Sequence, residues 1–296
     1  MRRVWLIGLV IIVLTSGAAA GQIGTWFHQS VTTPSGVTGT IDWAGGWIEV
    51  EGVGVPGPNA ITEAQGEQLA RDAAIADAQW RLLEIIKGLS VSGVATVLDH
   101  MASSAVRTEV EGTVRNFQII DESWEVPTKR FLLFFKRKGD WRDGAYRVTI
   151  IYNQDQLLLT FIPELEQIYP AGEEAEAVGP TPYTGLVFDA RGYGTELNPA
   201  LFVNLVDTQG DPVADGIATA YVPSAGYRLD IPDLSVVNAM DDPRVGSNPL
   251  KVNALGTAQG GFALVVSQTD AALIRQMATT SNILTRGGGS VLIVAD

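Results

Sequence analysis

The sequence contains no cysteine among its 296 residues. This absence excludes disulfide bonds, thiol catalysis, cysteine-ligated metals and a lipid attached to an N-terminal cysteine. Histidine is nearly absent, since only His28 and His100 are present, and a multi-histidine metal site is therefore excluded. The segment Gly88–Ser92 fails the GxSxG pattern of a serine nucleophile at its last position. We therefore predict no metal, no cofactor and no enzymatic activity.

Positive charge is also scarce. The chain has 20 Lys and Arg against 33 Asp and Glu, which gives a formal charge of −13 at pH 7. Nucleic acid and anionic lipid would repel such a chain as a whole, so neither is a predicted partner. Paired carboxylates can hydrolyse glycosides, and a carboxylate-dependent hydrolase stays as an alternative. Neither Glu49 with Glu51 nor Asp241 with Asp242 has neighbours that would bury the pair, so a solvated surface is the favoured interpretation.

Long hydrophobic runs are absent apart from Val4–Leu14, which follows Arg2 and Arg3 and precedes Ala18–Ala20. A positive start, a short apolar core and a small-residue ending are the three parts of a secretory signal peptide. The run is shorter than the ~20 residues that a transmembrane helix requires, so we favour cleavage after residue 20 over an uncleaved anchor. The sequence thus predicts export to the periplasm or the extracellular space, without a covalent lipid anchor.

The remaining chain is long enough for two domains. We predict a signal peptide over residues 1–20, an extended lead-in over 21–46 and an N-terminal α+β domain over 47–168. Residues 169–182 are rich in Pro, Gly and Glu and almost lack large apolar residues, as is typical of a linker. A second, small β-rich α+β domain is predicted over residues 183–296.

A long helix is the clearest predicted element. Thr62 and Gln65 form a capping-box pattern, and Gly88 is a natural stop, so the helix is expected over Glu63–Lys87. Its apolar spacing favours a core stripe of Leu69, Ala73, Ala76, Trp80, Leu83 and Ile86. Alanines at 70, 73, 74, 76 and 78 leave one face nearly flat, which would let the helix lie close against a sheet.

Further elements follow from local patterns. We predict a second helix over 94–108, strands over 114–124, 131–135 and 146–152, a hairpin joining 251–255 to 262–266, and a helix from Thr269 to Met277.

Four segments occur in an order that resembles a known group of proteins: IDWAGGWIEVEGVGVPG, EAQGEQLARDAAIADAQWRLLEIIKGLSV, EVEGTVRNFQIIDESW and DGAYRVTIIYN. They resemble bacterial envelope proteins, namely the small surface lipoproteins allied to the N-terminal domain of flagellar assembly protein T. The later segments TGLVFDARGYG, NPLKVNA, ALVVSQTDAALIRQ and SVLIVAD are similar to the C-terminal domain of larger exported members.

This resemblance implies helices packed on an antiparallel sheet, followed by a second small α+β domain. It also implies an envelope location and, by analogy with the flagellar member, a structural part in assembling a motor ring. It supplies no catalytic residues. The lipid-bearing cysteine of the lipoprotein members is absent from this chain.

The most distinctive short motif comprises Asp189, Arg191, Gly192 and Gly194. In a functional interpretation Arg191 would bind an anion while the two glycines let the backbone approach it. In a structural interpretation Asp189 and Arg191, two residues apart on one strand face, form an ion pair, and this is favoured. The motif is not a dinucleotide fingerprint, because Leu197 stands where a third glycine would be needed.

One segment concentrates positive charge around an aromatic centre, and we predict it as a partner-binding site: Lys129, Arg130, Phe134, Phe135, Lys136, Arg137, Lys138 and Trp141. It could suit an acidic partner, an anionic envelope polymer or a membrane surface. The simpler interpretation is a strand hairpin whose ends are solvated by charge.

The leading functional hypothesis is an exported, non-enzymatic envelope protein that acts through protein contacts, as an accessory or assembly component. Envelope proteins, including flagellar or secretion components, are the expected partners, and the sequence leaves the oligomeric state open. The alternative is a module that binds a cell-wall glycan through the basic segment and the tryptophans at 26, 43 and 47.

Overall fold

The computed structural model describes residues 28–93, 95–130, 136–158, 160–161, 183–218, 220–223, 240–280 and 290–296. The predicted signal peptide, the linker over 169–182 and the strand over 131–135 lie outside these residues. Helices combine with several separate sheets, which confirms the predicted α+β class. In the described part of the chain, no helix is long and apolar enough to cross a membrane.

The N-terminal half is built around a five-stranded antiparallel sheet, which we call sheet 1, with the strand order β1-β2-β3-β9-β6. Its elements are β1 (His28–Thr32), β2 (Thr38–Asp42), β3 (Trp47–Gly54), α1 (Glu63–Lys87), β4 (Ser90–Ser92), β5 (Ala95–Thr96), α2 (Val97–His100), α3 (Ser104–Thr113), β6 (Gln118–Glu125), β7 (Thr128–Arg130), β8 (Lys136–Lys138), a short 3-10 helix (Trp141–Asp143) and β9 (Ala145–Asn153). The expected lead-in over 21–46 therefore supplies the first two strands of this sheet.

Helix α1 has the bounds that its capping pattern predicts. The Gln65 amide donates to Thr62 Oγ1 at 3.2 Å, and the Gly88 amide donates to the Ile85 carbonyl at 3.0 Å. The Gln65 side chain completes the cap by accepting a hydrogen bond from the Ile61 amide at 3.0 Å. Local backbone chemistry at both ends therefore sets the length of the helix.

The buried face of α1 differs from the predicted stripe. The core side is formed by Ala70, Ala74, Ala78, Leu82 and Ile86, whereas Leu69 and Trp80 are 39 % and 49 % exposed. The reason is the closeness of α1 to β3, where a Cβ added at Gly52 would lie 2.2 Å from the Ala74 carbonyl oxygen. Only small side chains fit such a contact, so the flat alanine face packs on the sheet. Leu69 and Trp80 of the predicted stripe are turned outward, whereas Ile86 is buried as predicted.

The predicted helix over 94–108 and the predicted strand over 114–124 also need correction, whereas the helix predicted from Thr269 to Met277 is confirmed. The helix predicted over 94–108 is divided into β5, α2 and α3, and the strand predicted over 114–124 begins later, at Gln118. A capping box formed by Thr96 and Asp99 starts the short α2, which ends after one turn. The continuous apolar spacing of this region therefore conceals two helix starts.

The C-terminal half contains two further sheets. Its elements are β10 (Gly185–Asp189), β11 (Phe202–Asp207), β12 (Pro212–Ala218), β13 (Ala220–Pro223), β14 (Pro249–Asn253), β15 (Gly256–Ala258), β16 (Ala263–Val266), α4 (Gln268–Thr280) and β17 (Val291–Ala295). Sheet 2 is wholly parallel and has the order β13-β17-β10-β14. Sheet 3 has the order β15-β16-β11-β4-β5, and β12 also pairs with β11.

The hairpin predicted between 251–255 and 262–266 is wrong, because the two strands belong to different sheets. Strand β14 pairs with β10 in sheet 2, whereas β16 pairs antiparallel with β15. The chain passes between the sheets at Ala254 and Leu255, whose amides donate to the Asp189 carbonyl and the Val265 carbonyl respectively. The strand that pairs antiparallel with β16 is therefore the short β15, and not β14 as the pattern predicts.

Strand β4 connects the two halves of the molecule. Ser92 pairs with Phe202 of β11, and the Leu201 amide donates to the Ser90 carbonyl at 3.0 Å. The Trp43 ring packs edge-on against the Tyr221 ring at 6.0 Å between centroids. One continuous cluster of buried apolar side chains includes residues of both halves. The halves therefore share a sheet and a core.

Candidate functional site

The described part of the basic segment forms two antiparallel strands, β7 and β8, that continue the pairing of β6 with β9. The β6–β9 ladder ends at Glu125 and Ala145, the Gly139 amide then donates to the Pro127 carbonyl at 2.8 Å, and β7 pairs with β8. We call the paired strands β7 and β8 the basic arm. It constitutes a separate two-stranded sheet at the end of sheet 1.

The register of the basic arm pairs cationic residues with each other. Lys129 is paired with Arg137, and Arg130 with Lys136, while Lys138 is paired with Thr128. Like charges at directly opposed positions of an antiparallel ladder destabilise it. Of the predicted site, Phe134 and Phe135 lie outside the described residues.

Trp141 anchors the base of the arm to α1. A Cβ added at Gly66 of α1 would lie 2.3 Å from the Trp141 ring, so the ring packs directly on the helix backbone. The Arg142 guanidinium lies 4.3 Å from the centroid of the same ring. Asp140 accepts a hydrogen bond from the Arg142 amide at 3.0 Å and caps this turn. Trp141 is therefore engaged in packing within the chain.

The face of sheet 1 opposite α1 is acidic. Buried and less buried residues alternate along β3 and β9, which places Ile48 and Val50 toward α1 and their neighbours on the other side. The strand register brings five carboxylates to that other side: Asp42, Glu49, Glu51, Asp121 and Glu125. We call these five residues the acidic face. The sequence pattern presented Glu49 and Glu51 as a solvated pair, but it could not show which other strands stand beside them.

One arginine interrupts this negative charge. Arg147 of β9 forms ion pairs with Glu51 and, at 3.6 Å, with Glu125. The hydrogen bond and the charge of Glu51, with a further contribution from Glu125, raise the pKa of the Arg147 guanidinium. At the outward positions of the described strands β2, β3, β6 and β9, Arg147 is the single Lys or Arg residue. The face therefore keeps a net negative charge at neutral pH.

The motif at the end of β10 is a compact ion cluster. Arg191 donates from Nε and Nη2 to the two carboxylate oxygens of Asp189, both at 2.8 Å, and Lys251 Nζ lies 3.4 Å from the same carboxylate. The hydrogen bonds from Arg191 hold the pKa of Asp189 below its usual range. Gly192 adopts a φ of +89°, and its amide donates to Asp296 at 2.7 Å. Because Arg191 already binds Asp189 through two hydrogen bonds, this geometry favours the structural interpretation; Gly194 is buried beside it.

A cleft of about 80 Å³ lies where the two halves meet. Its lining includes Trp43, Gln154, Asp155, Tyr221 and Arg244. Small-molecule sites usually measure about 300–1,000 Å³, so this cleft is too small for a ligand of that class.

The N-terminal tryptophans are engaged in packing. Trp43 is buried, and its indole nitrogen donates to Gln29 at 3.2 Å. Trp47 is half-buried, and its ring packs edge-on against His28 at 5.6 Å between centroids. Trp26 lies outside the described residues. These contacts leave little of Trp43 to stack on a sugar ring.

Two further carboxyl groups of the C-terminal half, those of Asp207 and Asp242, have a lowered pKa. Burial would raise the pKa of Asp207, but hydrogen bonds from Arg275, Gln209 and Asp211 outweigh burial and lower it. Hydrogen bonds from Arg244 likewise lower the pKa of Asp242. A general acid at neutral pH needs a raised pKa, which neither group has. Within the described residues, no three His, Asp or Glu side chains are grouped so that they could hold a metal ion.

The fold and these surfaces define an α+β protein in which an acidic sheet carries a basic arm. A family model described as Treponema pallidum Tp0624, second domain, matches residues 185–296. The match begins at the first residue of β10 and includes every described element from there onward. The C-terminal part of the chain is thus similar to a bacterial protein domain. A search of curated proteins finds no match. The likeness to the surface-lipoprotein group stays a prediction.

Proposed function

We propose that this chain is an exported cell-envelope protein that acts through contacts with other envelope proteins, as an accessory or assembly component. The export signal expected over residues 1–20 and the similarity of residues 185–296 to a bacterial protein domain support this proposal. Flagellar and secretion components are the first partners to test, since the resemblance of the N-terminal segments suggests them.

The basic arm is the observation that carries the proposal. It pairs cations with each other although the chain as a whole has a formal charge of −13. Such an arm lowers its own stability and raises its attraction for an anionic surface. A role in binding explains this arrangement better than a role in folding.

Envelope retention tests the proposal. The chain is produced with its own N-terminus, and the envelope and soluble fractions are compared for the parent and for the triple variant Lys136→Gln, Arg137→Gln, Lys138→Gln. We expect the variant to shift to the soluble fraction, because the arm then carries three fewer positive charges and attracts an anionic partner less strongly. Chemical crosslinking before lysis should give fewer partner adducts with this variant.

Two controls separate charge from fold. The triple variant Lys136→Arg, Arg137→Lys, Lys138→Arg keeps the charge and should be retained like the parent. Arg115→Gln removes an exposed cation outside the arm and should also have no effect. Unchanged retention of the Gln variant, with an intact melting temperature, would contradict the proposal. Pelleting with purified cell-wall glycan would instead favour the polymer-binding alternative.

A further inference from the structure

Helix α1 carries an apolar stripe on the side that is turned away from sheet 1. Leu69 and Trp80 are 39 % and 49 % exposed. Ala73 and Ala76 are also exposed, and Leu83 is half-buried. We call these five residues the outer stripe. Their spacing of four, three, four and three residues is the spacing by which one helix packs along another.

The loop before α1 enlarges this apolar surface. Val55 and Ile61, which lie between the end of β3 and the start of α1, are 63 % and 81 % exposed. The loop lies close to the outer stripe, because a Cβ added at Gly57 would be 3.4 Å from Leu69 Cδ1. Half of the large apolar side chains that are exposed in the described part of the chain therefore lie on or beside α1. Such a concentration is typical of a surface that another molecule covers.

We propose that the outer stripe is the interface of a homodimer. In this dimer α1 of one copy packs antiparallel against α1 of a second copy, with Ala76 at the two-fold axis. The inference goes beyond the proposed function, because it uses no residue of the basic arm and holds whether or not the arm binds an envelope partner.

The outer stripe is nearly symmetric about Ala76. Leu69 lies seven residues before Ala76, and Leu83 lies seven residues after it. In an antiparallel pair Leu69 of each copy therefore meets Leu83 of the other. Ala76 meets its own counterpart, and the small side chain lets the two helix axes approach to about 8 Å. An isologous interface requires this kind of symmetry, because it joins one surface patch to the same patch of a second copy.

The residues four positions from Ala76 are also complementary. Asp72 is exposed and precedes Ala76 by four residues, and Trp80 follows it by four. Antiparallel packing places the Asp72 carboxylate of each copy beside the Trp80 indole of the other. The indole offers one N–H donor, and a carboxylate accepts hydrogen bonds on both oxygens. Within the chain Asp72 Oδ1 accepts a hydrogen bond from Gln68 Nε2 at 2.9 Å, so Oδ2 can serve the second copy.

The distribution of charge favours this side of the molecule as an interface. Asp77 forms an ion pair with Arg81 at 2.7 Å. Glu84 forms one with Lys87, also at 2.7 Å. The flanks of the outer stripe are thus largely neutralised within each copy.

The acidic face also favours a second copy docked through α1. It lies on the opposite side of sheet 1, so this dimer keeps the two acidic faces on its two outer surfaces. A dimer formed through the sheet faces would instead bring like charges together. An anionic lipid surface would repel a chain with a formal charge of −13.

The size of the surface sets the expected affinity. A helix of 25 residues is about 37 Å long and about 10 Å wide, so its outer side covers roughly 400 Å² per copy. The loop residues Val55 and Ile61 extend the contact at both ends, toward the total of about 1,000 Å² that a small specific interface buries. We therefore expect a dissociation constant of about 10 μM.

Sedimentation equilibrium of the purified chain tests the dimer. The parent should be largely dimeric at about 100 μM, and raising the salt should not dissociate it, because the contact is mainly apolar. Ala76→Glu places two carboxylates at the two-fold axis and should weaken dimerisation at least about tenfold. The matched control Ala64→Glu adds the same charge at an exposed position of α1, about 120° around the helix from Ala76, and should dimerise like the parent.

Disulfide crosslinking tests the geometry, and the absence of natural cysteine removes any background. Ala76→Cys should crosslink to its own counterpart on mild oxidation. Leu69→Cys alone should not, because the two positions 69 lie about 21 Å apart in the antiparallel pair, beyond the Cα separation of about 7 Å that a disulfide spans. Leu83→Cys alone should behave in the same way, whereas a 1:1 mixture of the two variants should crosslink. Circular dichroism checks that each variant is folded.

Three results would overturn the proposal. The first is a parent that is monomeric at about 100 μM, which would leave the outer stripe to a different protein. The second is an Ala76→Glu variant that dimerises like the parent. The third is a mixture of Leu69→Cys and Leu83→Cys that crosslinks no better than either variant alone.

Discussion

The contact between α1 and β3 predicts a large effect from one methyl group. The change Gly52→Ala places a Cβ 2.2 Å from the Ala74 carbonyl oxygen and 2.4 Å from the Ala78 amide nitrogen. Both blocking atoms belong to the helix backbone, so no side-chain rotation relieves the overlap. Ordinary van der Waals contact begins at 3.4 Å. The 25-residue helix must therefore move outward by about 1 Å, at the expense of the core packing on either side.

The expected loss of stability lies in the upper part of the range for overpacked cores, about 2–3 kcal/mol. Without the overlap, a Gly-to-Ala change would stabilise by about 0.4–1 kcal/mol, because it restricts the unfolded chain. Urea unfolding followed by tryptophan fluorescence measures the difference. With an m-value of about 3 kcal/mol/M, the midpoint should fall by roughly 0.7–1 M.

Two further variants test whether the overlap with the backbone of α1 causes this loss of stability. Gly112→Ala in α3 has no atom within 4 Å of the new Cβ, so its midpoint should stay level or rise. A Cβ at Gly54 would lie 2.0 Å from the Ala70 carbonyl oxygen, and the same outward movement of α1 would relieve it. The double variant should therefore lose less stability than the sum of Gly52→Ala and Gly54→Ala. A Gly52→Ala midpoint within about 0.2 M of the parent would refute the account.

The remaining predictions concern the C-terminal half. Asp189→Asn removes the carboxylate that Arg191 holds and should cost about 1–2 kcal/mol at pH 7, discounted for partial exposure. Folding lowers the pKa of Asp189, so the ionised carboxylate stabilises the folded state at a pH above its unfolded pKa, which is near 4. This stabilisation is lost as the pH falls through the folded pKa. The difference between the urea midpoints of the parent and the variant should therefore disappear below about pH 4. Tyr221→Phe leaves the buried Ala200 amide and carbonyl without their hydroxyl partner and should cost about 1–3 kcal/mol in thermal unfolding. Tyr193→Phe, a more exposed control, should cost less than about 0.5 kcal/mol, and equal losses would contradict this prediction.

The parts of the fold that were predictable depend on local chemistry. Thr62, Gln65 and Gly88 define both ends of α1 through hydrogen bonds that span three or four residues. The strand predicted over 146–152 is likewise confirmed as β9, in which buried and less buried residues alternate. These signals lie within a single segment, so the sequence can be interpreted without knowing what packs against it.

The parts that were not predictable depend on distant partners. The apolar spacing of α1 fits two faces, and only the glycines of β3 show that the alanine face is the buried one. Strand β14 has an ordinary strand pattern, but its partner is β10, more than 60 residues earlier. The same limit applies to the candidate site. The cations of the basic arm lie close together in sequence, whereas the five carboxylates of the acidic face come from three strands, β2, β3 and β6.

The sequence by itself determined where the long helix begins and ends, the scarcity of positive charge, its concentration in one segment, and the absence of thiol and multi-histidine chemistry. Tertiary structure alone decided which face of α1 is buried, how β4 joins the two halves, and which carboxylates stand together on sheet 1. The physical reason is how far apart along the chain the residues that determine each property lie. Caps, turns and charge content are properties of neighbouring residues, whereas burial and surface charge arise from strands that meet only after the chain has closed long loops.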